Sequence, residues 1–216
     1  MNAPLLPPYA RLIDTSYETL FLEGGLEGPI CHAGSLLNSE KATLEDVGRW
    51  RQRFGRIVHG DFIGVDLFPG PNVDVVADLC APDFRERHAD LIGRFGVVFA
   101  SALLEHVQNP FDAARNLALM IRPSGHLFYT GPWVWGYHPY PDDYWRISPS
   151  GLAVLFPEFE WQRRWYSGTN KNVGIELTHP KFERPTFRQM QSEGIGAVLS
   201  GQGLPYLNVG AIGRKS

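Results

Sequence analysis

The chain has 216 residues, enough for one sizeable core, and at 44% hydrophobic and 12% aromatic content it argues against disorder over most of its length. A net charge of -3, a pI near 6.2 and the lack of any dense basic stretch exclude the electrostatic footprint of a nucleic-acid binder. The longest apolar runs are far short of a membrane span, and Met1-Asn2-Ala3-Pro4 has no positive region ahead of an apolar one, so it does not read as a signal peptide. Two cysteines, Cys31 and Cys80, cannot make a disulfide framework or a zinc site alone, so a reducing cytoplasm is the simplest compartment.

Residues 1–14 start Pro-rich and read as an irregular segment, and residues 15–24 read as a short helix. Pro29-Ile30-Cys31-His32-Ala33 is a short apolar run closed by Gly34-Ser35, the first expected strand. Over 41–56, Leu44, Val47, Trp50 and Phe54 recur at spacings of three and four, which predicts a helix. Strands are expected over 61–66 and 73–78, joined by a Phe68-Pro69-Gly70-Pro71-Asn72 turn, then a helix over 82–93 and a strand over 96–101. Asn109-Pro110 has the chemistry of a helix start, and Phe111, Ala114, Leu117, Ala118 and Ile121 trace an apolar face. Arg122-Pro123-Ser124-Gly125 should stop that helix before a strand over 126–130, completing a right-handed βαβ unit. Ser148-Pro149 starts another helix, and strands are expected over 159–166 and 207–213. Residues 168–203 carry Gly, Pro and charge without a period and read as an insertion or long loop. With no internal repeat and no evident linker, residues 1–216 read as one domain.

Three of these strands end on an acid or a small polar residue: Asp66, Asp78, and Ser101 ahead of Leu104-Glu105-His106-Val107. That pattern suggests a parallel sheet with a ligand along its carboxyl edge. An acid closing the second strand can accept hydrogen bonds from both hydroxyls of a ribose, which points to a nucleoside-containing cofactor.

At this point the residues resemble a family. "GVDLFPGPNVDVVADL" is similar to the acidic end of the second strand and the adenine-contacting region of class I S-adenosylmethionine-dependent methyltransferases. "VVFASALLEHVQNPFDAARNLALMIRPSGHLFYTGP" resembles their fourth strand, its helix and the fifth strand, and "PDDYWRISPSGL" a segment found in a subset linked to sugar and polysaccharide biosynthesis. The resemblance is best over residues 61–156. It implies a doubly wound, Rossmann-like sheet of seven mostly parallel strands, with helices on both faces and an antiparallel last strand. The implied reaction is methyl transfer from S-adenosylmethionine, with S-adenosylhomocysteine as product, to a small-molecule acceptor such as a sugar hydroxyl.

The implied cofactor residues are Gly34, Ser35, Asp66, Leu67, Asp78, Leu79, Ser101 and Ala102. Asp66 would hold the ribose and Asp78 the adenine amino group, with Leu79 on the ring; Asp78 reads equally well as a turn-forming aspartate. Glu105 would brace the cofactor loop. Trp133 to Arg146 leaves the carboxyl end of the fifth strand, where substrate should enter, and offers Trp133, Tyr137, Asp142, Tyr144 and Arg146 as acceptor contacts. The same stretch reads equally as core packing with a helix cap, and Arg146 as a partner of Asp142. His138 is the best base for an acceptor hydroxyl, because imidazole as a class suits proton removal near neutral pH; His106 is a second candidate, reading first as a residue that packs and hydrogen-bonds. Neither acid nor histidine spacing specifies a metal site.

One departure stands out. The family pattern has an acid and then a glycine-rich turn after the first strand; here His32 takes the acid's place and Gly34 is the only glycine. Weak cofactor affinity is therefore expected, and a degenerate fold with a binding or scaffolding role is the competing reading. A nicotinamide enzyme is a weaker one, because no G-x-G-x-x-G precedes Asp66 by the roughly 20 residues that such a site needs.

Overall fold

The computed structural model describes residues 10–37, 44–139, 141–168, 172–178 and 206–216. In chain order these form β1 (Ala10–Asp14), α1 (Tyr17–Glu23), β2 (Ile30–Ala33), α2 (Leu44–Gly55), β3 (Phe62–Asp66), β4 (Val75–Val76), α3 (Phe84–Arg87), β5 (Phe95–Ser101), α4 (Pro110–Met120), β6 (Ile121–Val134), α5 (Pro149–Leu155), β7 (Phe159–Ser167), β8 (Val173–Leu177) and β9 (Leu207–Lys215). One sheet runs in the order β1-β8-β7-β9-β6-β5-β2-β3-β4. From β4 through β6 every pairing is parallel. β9 is antiparallel to both β6 and β7, β8 to β7, and β1 to β8, so only β8 and β9 point against the other strands.

The central strands are apolar almost throughout because both faces are covered. Alternate residues feed two cores. Cys31, Ala33, Val98, Ala100, Leu127 and Tyr129 meet α3, α4 and α5 through Phe84, Leu117 and Leu152. Ile30, Val97, Phe99, Phe128 and Trp165 meet α1 and α2 through Leu20, Phe21 and Phe54. Phe54 lies 5.3 Å from Phe99 and Phe21 5.0 Å from Phe128, so this second core is built from aromatic rings. Truncating a ring such as Phe99 to Ala would cost about 3–5 kcal/mol.

Local chemistry explains the helix starts. Asn109 accepts from the Phe111 and Asp112 amides at 3.1 and 3.2 Å with Pro110 in the first turn, and Ser148 accepts from Gly151 at 3.0 Å. The inward face of α4 is shifted from the expected one: Ala113, Ala114, Leu117, Ala118 and Met120 are buried, whereas Phe111 is 60% exposed.

Five expectations need correction. Among the described residues the sheet has nine strands rather than seven, because β1 and β8 extend it beyond β7. Residues 10–14 are a strand, not irregular: they pair with β8, and buried Glu176 accepts from Arg11 and Arg163 at that edge. The strand expected over 73–78 shrinks to Val75–Val76: next to it the Gly64 amide is taken by the Asp74 carboxylate at 2.7 Å rather than by a backbone carbonyl. The helix over 82–93 breaks into α3 and a 3-10 turn at Ala89–Leu91, ending where Gly93 adopts φ +65. The stretch 168–203 contains β8; 169–171 and 179–203 lie outside the described residues. Among the described residues no helix is long and apolar enough to cross a membrane.

Candidate functional site

The carboxyl ends of β2, β3, β4 and β5 open onto a cleft of about 500 Å³. Gly34 and Leu36 line it from the loop after β2, Asp66, Leu67 and Phe68 from the end of β3, and Ala77 to Cys80 from the loop after β4. Ala102, Leu103, His106, Val107 and Gln108 follow β5, and His138, Pro141 and Tyr144 close the far side from the segment after β6.

Asp66 sits at the floor of this cleft. One carboxylate oxygen accepts the Leu36 amide at 2.9 Å and the other accepts the Phe68 amide at 3.2 Å. The acid thus ties the loops after β2 and β3 together. A carboxylate offers about four acceptor positions, so each oxygen keeps one free for a ligand. Gly34 adopts φ +72, and a side chain there would press on Leu103 at 3.1 Å. That backbone conformation is why glycine stands at this point of the turn. Across the cleft, Ala102 holds φ +49, an uncommon conformation for a non-glycine residue and one that concentrates at functional sites.

Asp78 accepts the Cys80 amide at 2.8 Å, so it forms a turn while also lining the cleft. Leu79 is nearly buried at the cleft wall. Its carbonyl and that of Ala81 accept from the buried Asn116 side chain of α4 at 2.8 and 3.0 Å. Asn116, with Leu36, Phe68, Leu103 and Asp143, was not among the sequence candidates. A buried amide inside an apolar helix face was the signal that could have found it.

Two expected cofactor residues face elsewhere. Ser35 is buried away from the cleft lining. The Ser101 hydroxyl points to the α1 side, 2.7 Å from the Thr130 hydroxyl and 3.2 Å from that of Tyr17. Strand alternation sends position 101 to the same face as Phe99. His32 also faces that side, its ring 5.5 Å from Trp50 and 5.0 Å from Phe99, with the Asn72 amide 3.4 Å from Nδ1. Burial pushes its pKa down to about 4, so it is a neutral core residue near pH 7.

The segment after β6 is only partly where it was expected. His138 and Tyr144 line the cleft. Trp133 packs against the core on the α4 side. Tyr137 is 69% exposed and donates to Asp142 at 3.0 Å. Arg146 grips Asp143, not Asp142, through both nitrogens of its fork. Asp142, Trp133, Tyr137 and Arg146 are therefore absent from the cleft lining, and the anticipated aromatic wall reduces to Tyr144 with Phe68 opposite.

The polar end of the cleft is tightly organised. The Asp143 carboxylate is buried beside Arg146, whose hydrogen bonds hold its pKa well below the usual carboxylate range. It accepts the His138 amide at 3.0 Å and lies 3.2 Å from His138 Nδ1. His106 Nδ1 donates to the Asp142 carbonyl at 2.5 Å, and the two imidazoles lie 5.1 Å apart. Beneath them Glu105 is buried, and neither carboxylate oxygen has a hydrogen-bond partner among the described residues. Burial raises its pKa to about 7. Its backbone carbonyl accepts from Tyr144 at 2.7 Å and from Trp145 at 3.3 Å, locking the 142–146 segment onto the loop after β5.

Comparison with protein-family models finds no match to this chain, and comparison with curated proteins finds none either. Solved structures do resemble it. An S-adenosylmethionine-dependent methyltransferase from Mesorhizobium loti is similar over 92% of this chain and 95% of its own, with 13% identity and a TM-score of 0.50. The N-methyltransferase NodS from Bradyrhizobium japonicum is similar over 92% of each chain, with 10% identity and a TM-score of 0.51. The fold is that of the class I methyltransferases. The [4+2]-cyclase SpnF is also similar, over 92% of this chain and 79% of its own, with 14% identity and a TM-score of 0.53. The shared fold therefore does not by itself choose the reaction.

Proposed function

We propose that this chain binds S-adenosylmethionine in the cleft and transfers its methyl group to an oxygen of a small hydroxylated acceptor, a saccharide being the favoured class. The supporting observation is Asp66, at the carboxyl end of β3, with acceptor positions to spare on the floor of a cleft whose polar end holds His106 and His138. In this reading Asp66 takes the ribose hydroxyls, Leu67 and Leu79 sandwich the adenine, and Asp78 sets the loop beneath it. The backbone at Gly34 and Ala102 receives the methionine end.

The chemistry asked of the protein is modest. The sulfonium methyl is already electrophilic, so the cleft must align an acceptor oxygen behind it and help its proton leave. His138 is the group best oriented to assist that loss, because the Gly136 carbonyl accepts from Nδ1 at 3.3 Å with the Asp143 carboxylate 3.2 Å away, which leaves Nε2 for the cleft. Tyr144 and Phe68 supply the faces on which a sugar ring can stack.

Binding without catalysis is the competing reading. Leu36 favours it: a bulky side chain lines the cleft in the turn where the family pattern carries glycine. Incubation with methyl-labelled S-adenosylmethionine and a panel of saccharides and other hydroxylated metabolites separates the two. Methyl transfer is expected to one class of acceptor, slowed about 10²- to 10⁴-fold by His138→Ala. Cofactor binding with no transfer to any acceptor would favour the binding role.

A further inference from the structure

We propose that Glu105, His106 and His138 form a site for one divalent transition-metal cation at the polar end of the cleft. The binding itself rests only on these three side chains; the cation's role rests on the methyl-transfer reading above.

One potential ligand atom from each residue lies within 4.8 Å of the others. Three ligands held tetrahedrally at about 2.1 Å lie about 3.4 Å apart, so the set closes only if the side chains approach one another by roughly an ångström. Glu105 Oε1 and His106 Nε2, at 3.8 Å, are already near that separation. His138 is the ligand with freedom to move, its side chain being 36% exposed.

Both imidazoles are oriented as metal ligands are. Bound histidines almost always donate their second ring N–H to a carboxylate or a backbone carbonyl, which fixes the tautomer and the ring plane. Here His106 Nδ1 meets the Asp142 carbonyl, and His138 Nδ1 lies 3.2 Å from the Asp143 carboxylate and 3.3 Å from the Gly136 carbonyl. Nε2 of each ring is left to ligate. Asp143 is in turn gripped by Arg146, and its carboxylate offsets the guanidinium charge that would repel a cation.

Glu105 supplies an independent observation. A buried carboxylate with no partner for either oxygen is costly, and each such group in a native structure calls for an explanation. A cation over Glu105 satisfies it directly. Two imidazoles and one carboxylate suit zinc, iron(II), cobalt(II) or manganese better than calcium or magnesium, and three protein ligands leave positions open to a substrate.

The open positions face the cleft, so the cation's role follows from its place. An acceptor hydroxyl bound there acidifies and loses its proton to water. The oxygen lone pair then forms the new C–O bond, the C–S bond breaks, and its electrons pass to sulfur, leaving the neutral thioether. In this arrangement His138 acts as a ligand and the cation takes over the activation of the acceptor, so the role of a free His138 imidazole described above belongs to the metal-free chain alone.

The test uses the full chain, dialysed against chelator and titrated with Zn²⁺ by calorimetry and with Co²⁺ by visible absorption. One equivalent should bind, and Co²⁺ should show the d–d bands of a nitrogen–oxygen site. His106→Ala, His138→Ala and Glu105→Gln should each weaken Zn²⁺ at least tenfold, and Asp143→Asn about 10- to 100-fold, with thermal unfolding run alongside. Absence of stoichiometric binding, or binding unchanged in the folded variants, overturns the site. If the variants do not fold, the wild-type Co²⁺ spectrum decides: bands support the site and their absence rejects it. A parallel S-adenosylhomocysteine titration keeps the two claims apart. Zn²⁺ binding without nucleoside binding leaves the metal site and sinks the transfer reading; the reverse result does the opposite.

Discussion

Replacing Asp66 with Ala removes one carboxylate and disturbs two things at once. The first is the ligand: two ribose hydroxyls lose a charged acceptor. Hydrogen bonds to charged groups contribute about 1.5–3 kcal/mol net, which corresponds to S-adenosylhomocysteine binding weaker by roughly 10- to 150-fold. The second is the scaffold: the Leu36 and Phe68 amides lose their acceptor. Both lie near the surface and water replaces much of what is lost, so stability should fall by only about 1 kcal/mol. Asp66→Asn separates the effects, because its single amide oxygen can serve one loop but not both loops and the ligand. Calorimetric titration gives the affinities, and urea unfolding shows that each variant is folded. A folded Asp66→Ala variant with wild-type affinity would refute the ribose assignment.

Two further predictions concern stability. A Cβ at position 64 would fall 1.8 Å from the Asn72 carbonyl oxygen and 2.7 Å from the Ser35 hydroxyl. Neither the loop backbone nor β3 can yield that far, so Gly64→Ala should destabilise by about 3 kcal/mol or more in urea unfolding, and a near-neutral result would mean that the loop over β3 packs differently. His32 titrates at about 4 when folded, below its ordinary 6.5, so the unfolded chain binds more protons between those values. Stability is full above about pH 6.5 and should fall by about 3 kcal/mol as the pH drops to about 4. His32→Phe should flatten that part of the profile; an unchanged slope would show that other groups carry it.

The parallel half of the sheet was legible because its strands announce themselves locally. Apolar runs ending at Ala33, Asp66 and Ser101, with Asn109-Pro110 at a helix start, fixed β2, β3, β5 and α4 to within a residue or two. β1 was missed because its partner among the described residues, β8, lies far along the chain inside a stretch without periodicity. The cleft floor was legible for a related reason: an acid that closes a strand lines this edge, so Asp66 could be placed from register, while Asp78 lines it from the turn after β4. Side-chain direction was misread. Ser101 faces α1 by the same alternation that turns Phe99 there, a parity the spacing carried and the family likeness overrode; Trp133 turns to the core beside the register shift at 132–134, which spacing does not carry. The Glu105–His106–His138 set escaped for the same reason: two loops meet only when the Glu105 carbonyl ties down residues 144 and 145.

The most direct measurement is a calorimetric titration of the purified chain with S-adenosylhomocysteine. Saturable one-to-one binding is expected. It should be weak for this fold, in the high micromolar range, because Gly34 is the only glycine in its turn and Leu36 lines the cleft beside it. Tight binding would show that the shortened turn does not limit the approach of the cofactor. No binding at millimolar ligand would contradict the assignment of the cleft to S-adenosylmethionine.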